Sequence, residues 1–198
     1  MASLRISFIG DSLVAGTGDP EFLGWPGRMA RAAEERGHDI TCYNLGIRGN
    51  TSAEILARWR READVRYVAG QDNRLVFQFG VNDTKDVDGK RIVTPEQAEI
   101  QARDVLSAAK AWVPVLMIGP PPIEDAARNL RIADMSARLA GVSNALGISY
   151  FDSFTTLKGS PVWTRAVRDG DGVHPVATGY AEWARSIDAW TPWRMWTP

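Results

Sequence analysis

The sequence predicts a single α/β domain, residues 1–198, built on an open parallel sheet with helices on both faces. Three observations predict it. Short runs rich in Val, Ile and aromatic residues alternate with longer segments of helical period. No Ser/Gly-rich linker, repeat or low-complexity tract interrupts them. A length of 198 residues with 44% apolar side chains suits one hydrophobic core.

In chain order, the apolar run Leu4 to Ile9 predicts the first strand and Trp25 to Arg36 the first helix. Ile40 to Leu45 and Ser52 to Glu62 repeat the pair, and Thr51 with Glu54 has the spacing of a capping box. The third strand, Arg74 to Phe79, leads to a helix over Pro95 to Trp112. Its start is marked by Thr94 as N-cap, Pro95 in the first turn and Gln97 as the second half of a capping box. Val113 to Ile118, Glu124 to Leu146, Ile148 to Phe151 and Val176 to Trp190 complete the alternation. Each strand is short enough to be buried on both faces of a parallel sheet. Right-handed crossovers then give an open parallel sheet, for which the doubly wound order 2-1-3-4-5 is the expectation, with function expected at the carboxyl ends of the strands. Two connections are long, Val81 to Thr94 and Asp152 to Pro175, and loops of that length are more often functional than idle.

Composition narrows the chemistry. Lys plus Arg number 23 and Asp plus Glu 24, so the net charge is 23 − 24 = −1 and no basic field marks a nucleic-acid partner. The longest apolar stretch, Val113 to Ile123, is broken by Gly119 and four prolines and falls short of the roughly 20 residues of a membrane span. The apolar segment Ile6 to Ile9 is shorter than the core of a secretory signal, and a cytoplasmic location is expected. Cys42 is the only cysteine, which excludes an intrachain disulfide and a thiolate zinc cage. Any imidazole chemistry must use His38 or His174.

Ser12 stands in Gly10-Asp11-Ser12-Leu13, where the first strand turns into a loop, and is a candidate nucleophile. A lone serine beside glycine is by itself a better turn cap, so the nucleophile reading needs a base. His174, in Asp171-Gly172-Val173-His174-Pro175, supplies one, whereas His38 follows Gly37 at a helix end and reads as solvated. A carboxylate three residues before the imidazole can reach Nδ1–H, fix the tautomer and stabilise the imidazolium. Asp171 holds that position, with Asp152 and Asp169 in reserve.

Acyl transfer also needs oxyanion donors. Gly46 in Asn44-Leu45-Gly46 and Asn82 in Gly80-Val81-Asn82-Asp83 follow the second and third strands, and each alone is an ordinary turn residue. In the order 2-1-3-4-5 the first strand lies between the other two, so the Ser12 N–H, the Gly46 N–H and the Asn82 amide converge. Asp11 and Asp83 read as local scaffolding for loop backbone. Arg48 reads as a solvated surface group with a secondary reading as a substrate contact, and Trp163 as a candidate wall of the acyl pocket. Trp190, Trp193 and Trp196 form an aromatic tail expected to dock on its own domain or on a second copy, an exposed patch favouring a homo-oligomer.

With these blocks in hand, the sequence resembles the GDSL, or SGNH, hydrolases. Phe8-Ile9-Gly10-Asp11-Ser12-Leu13, Asn44-Leu45-Gly46, Gly80-Val81-Asn82-Asp83 and Asp171-Gly172-Val173-His174-Pro175 match the family's blocks in order over most of the chain. The resemblance implies a three-layer α/β/α flavodoxin-like fold and a serine esterase working through an acyl-enzyme. It implies a triad of Ser12, Asp171 and His174, an oxyanion hole of Ser12, Gly46 and Asn82, a small-molecule ester as substrate, and no cofactor or metal. Lipase, thioesterase, carbohydrate acetylesterase and acyltransferase activities all remain open within it. Two readings compete: a flavin-binding module using the loop Ser12 to Gly18, and a divalent-metal hydrolase built from Asp11, Asp83 and Asp171. Neither a P-loop nor the glycine-flanked serine elbow of α/β-hydrolases is present.

Overall fold

A computed structural model describes residues 3–198. Five parallel strands form the main sheet: β1 (Leu4–Gly10), β2 (Ile40–Gly46), β3 (Asp72–Gln78), β6 (Val115–Ile118) and β7 (Ser149–Phe151). Their order, β2-β1-β3-β6-β7, is the expected doubly wound order counted over the sheet strands. Register brings Gly10 beside Gly46 on one flank and beside Gln78 on the other. The ends of β1, β2 and β3 therefore open at one edge.

Alternation along the strands feeds two cores. Leu4, Ile6, Phe8, Val76, Leu116, Ile118 and Phe151 face one side, where α2 (Gly24–Glu35), α7 (Pro161–Asp169) and α8 (Ala177–Asp188) pack. Ile9, Leu75, Phe77, Val115 and Met117 face the other, against α3 (Ser52–Asp64), α4 (Pro95–Lys110) and α5 (Ala126–Ala145). The capping boxes expected at Thr51/Glu54 and Thr94/Gln97 both form.

The first core is held by indoles. Phe8 meets Trp25 at 5.5 Å between ring centroids, Trp25 meets Trp183 at 5.4 Å, and Trp183 meets Trp163 at 5.6 Å. Trp163 is thus a buried core residue; its Nε1–H donates to Pro122 O at 2.9 Å, satisfying the one polar atom burial would orphan. The aromatic tail docks on its own domain. It forms α9 (Thr191–Arg194), buries Trp193 against Phe8, sets Trp190 against Phe151, and places Trp196 beneath the Arg74 guanidinium.

The two long connections, expected as loops, carry regular structure. Val81 to Thr94 holds a 3₁₀ turn (Asn82–Thr84) and a small antiparallel hairpin, β4 (Asp86–Val87) with β5 (Lys90–Arg91). Asp152 to Pro175 holds α6 (Ser153–Leu157) and α7, capped by the side chains of Asp152 and Ser160. No helix among the described residues is long and apolar enough to cross a membrane.

Candidate active site

β1 delivers the nucleophile candidate. Just beyond it, Asp11 caps the one-turn helix α1 (Ser12–Ala15) by accepting the Leu13 N–H at 2.9 Å, which places Ser12 in the first turn at the sheet edge. The Tyr180 hydroxyl on α8 donates to Thr17 O at 2.7 Å and ties the following loop to that helix.

The turn after α7 delivers the base. The Asp171 carboxylate accepts the N–H of Val173 at 3.0 Å and of His174 at 2.8 Å through Oδ1, and contacts His174 Nδ1 at 2.7 Å through Oδ2. Burial opposes ionisation of Asp171, but these hydrogen bonds from His174 and Val173 outweigh it and bring its pKa down to about 2. The carboxylate is therefore an acceptor at neutral pH, Nδ1 carries the proton, and Nε2 is left to accept. Ser12 Oγ lies 2.7 Å from Nε2, and both residues are buried. The reserve acids play no part: Asp152 caps α6 through the Thr155 N–H, and Asp169 ends α7 exposed.

Asn82 sits in the 3₁₀ turn after β3. Its Nδ2 donates to Asn50 O at 2.9 Å and lies 3.5 Å from Asp11 Oδ2. Arginines from distant helices fix this side. Arg128 on α5 donates to Val81 O at 2.6 Å and to Thr84 Oγ1 at 2.9 Å, and Arg131 reaches Thr84 O at 3.2 Å. Arg58 on α3 donates to Gly10 O at 2.7 Å, Leu45 O at 3.0 Å and Asn50 Oδ1 at 2.6 Å. One guanidinium thus ties the end of β1, the end of β2 and the residue whose carbonyl holds Asn82.

Gly46 lies at the end of β2. A Cβ there would run into the Ala15 N–H and Asp11 O, so close approach of β2 to α1 requires glycine. Its N–H donates to Asn44 Oδ1 at 3.1 Å. Three residues on, Gly49 has φ +88° and its N–H has no hydrogen-bond partner among the described residues. Its neighbours frame the site: Arg48 lies 3.8 Å from Asp171 Oδ2, and Asn50 O holds Asn82. The sequence reading passed over Gly49. The signal available was its place in Gly49-Asn50-Thr51, the last turn before a capped helix, where donors face outward.

Behind these groups lie two buried acids. Burial pushes Asp11 up to about 7, with Asp83 adding to the rise and the Leu13 N–H opposing it. Burial likewise raises Asp83, whose Oδ1 accepts the Ser52 N–H at 3.0 Å and the Ser52 hydroxyl. Both acids brace loop backbone, as expected. Asp171 is turned to His174, and no group of three or more His, Cys, Asp or Glu side chains is gathered for a metal ion among the described residues.

Together the arrangement supplies a hydroxyl, an accepting imidazole nitrogen and an ionised acid behind it, with the Asn82 turn on the neighbouring strand end, and these are groups that acyl transfer uses. A family model described as the GDSL-like Lipase/Acylhydrolase family matches residues 8–182. An arylesterase of Vibrio mimicus is 27% identical over 177 residues, 88% of this chain and 81% of that protein. The lipase/acylhydrolase of Enterococcus faecalis has the same fold, with a TM-score of 0.70 at 23% identity over 93% of each chain. Axe2, an acetylxylan esterase of Geobacillus stearothermophilus, superposes with a TM-score of 0.73 at 20% identity over 94% of each chain.

Proposed function

The chain belongs to the GDSL-like lipase/acylhydrolase family, and on that premise we propose that it is a serine esterase hydrolysing carboxylic esters with Ser12, His174 and Asp171 as its triad. The observation that carries this reading is the continuous relay, 2.7 Å from Ser12 Oγ to His174 Nε2 and 2.7 Å from Nδ1 to Asp171.

His174 Nε2 takes the Ser12 proton as Oγ attacks the ester carbonyl. The tetrahedral oxyanion is met by N–H donors, and collapse expels the alcohol, which receives the proton from Nε2. Water then repeats the cycle on the acyl-enzyme and releases the acid. Asp171 stays ionised throughout and stabilises the imidazolium. The Ser12 N–H and the Asn82 amide serve the oxyanion. For the third donor the unengaged Gly49 N–H fits better than that of Gly46, which Asn44 Oδ1 already accepts.

Labelling with a fluorophosphonate followed by peptide mapping tests the reading. Modification is expected on Ser12 and absent from Ser12→Ala; modification elsewhere, or none in the presence of esterase turnover, overturns it. A cytoplasmic location fits the single thiol, Cys42, and fractionation of cells expressing the full chain tests that point.

A further inference from the structure

Two cations, Lys85 and Arg48, stand on the loops that follow β3 and β2 on either side of Ser12, and only Arg48 has an ion-pair partner among the described residues. Lys85 follows the 3₁₀ turn of Asn82, with its N–H donating to Asn82 O at 3.0 Å. Its side chain is half-buried, and its ammonium has no ion-pair or hydrogen-bond partner among the described residues. Burial lowers its pKa, and the nearby guanidinium groups of Arg128 and Arg48 lower it further, against the pull of Asp11. Arg48 arrives from the β2 loop, exposed, 3.8 Å from Asp171.

The acids of the neighbourhood are engaged elsewhere. Asp86 pairs with Arg91 at 3.8 Å and Arg131 at 3.5 Å, Glu124 with Arg168 at 3.4 Å, and Asp125 caps α5 through the Arg128 N–H. Asp171 is committed to His174, and Asp11, pushed up to about 7, is a weak counter-charge at neutral pH. An exposed arginine alone would be solvated without consequence. A half-buried lysine beside two guanidinium groups is disfavoured until an anion joins it.

Taking Ser12 as the nucleophile, as proposed above, we infer that the site selects esters bearing a second, anionic group, carboxylate or phosphate, which settles between Lys85 and Arg48 while the ester carbonyl lies over Ser12. The ammonium and guanidinium lie on the loops that flank the reacting atoms, so the anion belongs to the same small molecule as the ester.

The test compares three acetate esters of matched phenols: 3-acetoxybenzoate, its neutral benzamide counterpart, and the ester carrying a phosphate in place of the carboxylate. Rates are normalised to each ester's reaction with hydroxide. kcat/KM for an anionic ester is expected to exceed that of the neutral one by about tenfold at low salt, the ratio falling towards one in about 1 M sodium chloride, where screening acts within about 3 Å. The ratio should also fall towards one in Lys85→Gln and drop in Arg48→Gln; comparing the two anionic esters tells carboxylate from phosphate. A ratio of one or less in the unmodified protein, or a ratio indifferent to salt and to Lys85→Gln, overturns the inference while Ser12-dependent hydrolysis of the neutral ester leaves the esterase reading standing. Failure of all three esters with no labelling of Ser12 overturns both. If Lys85→Gln does not fold, Arg48→Gln and the salt titration decide.

Discussion

The turn that presents His174 holds itself, whereas the turn that presents Asn82 is held from outside. In the first, Asp171 accepts two backbone N–H groups and the ring within its own three-residue step. In the second, Arg58 from α3 and Arg128 from α5 bind Asn50 Oδ1, Val81 O and Thr84 Oγ1, across 8 to 47 positions of sequence. On the proposed reading, the orientation of His174 therefore depends on local geometry, and the Asn82 side on how two helices dock. Damage to the first is expected to be chemical and confined to turnover, while damage to the second couples turnover to helix packing.

The largest effect tests the self-held side. His174→Ala should lower kcat by about 10⁵ to 10⁶, and Asp171→Asn by about 10⁴, with thermal melts near that of the parent protein. Equal and small losses would mean that the relay is not used. Asn82→Ala comes next, with a fall of roughly 10² to 10³ in kcat and little change in KM, as expected when an interaction is made mainly in the transition state.

Arg58→Gln sharpens the comparison. It should cost about 10- to 100-fold in kcat through a displaced Asn50–Asn82 contact, and it should also lower the melting temperature, because three carbonyl and amide oxygens lose their donor. Partial recovery of kcat with added guanidinium, without recovery of the melting temperature, would separate positioning from bulk stability. A loss in melting temperature with normal turnover would remove Arg58 from the site.

The smallest effect is in pH. Asp171 titrates at about 2 when folded against an ordinary 3.8, so its stabilising contribution is complete above about pH 4 and is lost as pH falls towards 2. Asp11 has the opposite sign: with a folded value of about 7 against 3.8, it favours the native state below about pH 4 and loses that contribution as pH rises to 7. Urea melts should accordingly show Asp11→Asn gaining stability relative to the parent as pH is raised from 5 to about 8. A constant difference across that range would contradict a raised Asp11.

The same contrast explains what was legible in the sequence. Strand identity followed from short two-sided apolar runs, and the Asp171–His174 pair from a three-residue spacing that needs no tertiary information. Arg58 and Arg128 were invisible because their partners are backbone carbonyls contributed by other elements, and carbonyls leave no mark on residue type. Gly46 and Gly49 are both glycines for good reason, one for close packing and one for φ +88°, and only the place of Gly49 before a capped helix distinguishes them in the sequence. α7 leaves a partial signal: Ser160 and Pro161 are a helix start, and Trp163, Ala166 and Val167 recur on one face, but nine residues inside a long connection carry only two turns of that period. The β4–β5 hairpin has only two residues per strand and no periodicity to detect.

Indole rings 5.4 to 5.6 Å apart and inclined to each other share their electronic excitation, so the stack of Trp25, Trp183 and Trp163 gives the molecule an optical signature of its own. That signature reports the α2–α8 layer on the face opposite Arg58. A variant that keeps the circular-dichroism couplet while turnover collapses has lost its loop and not its body.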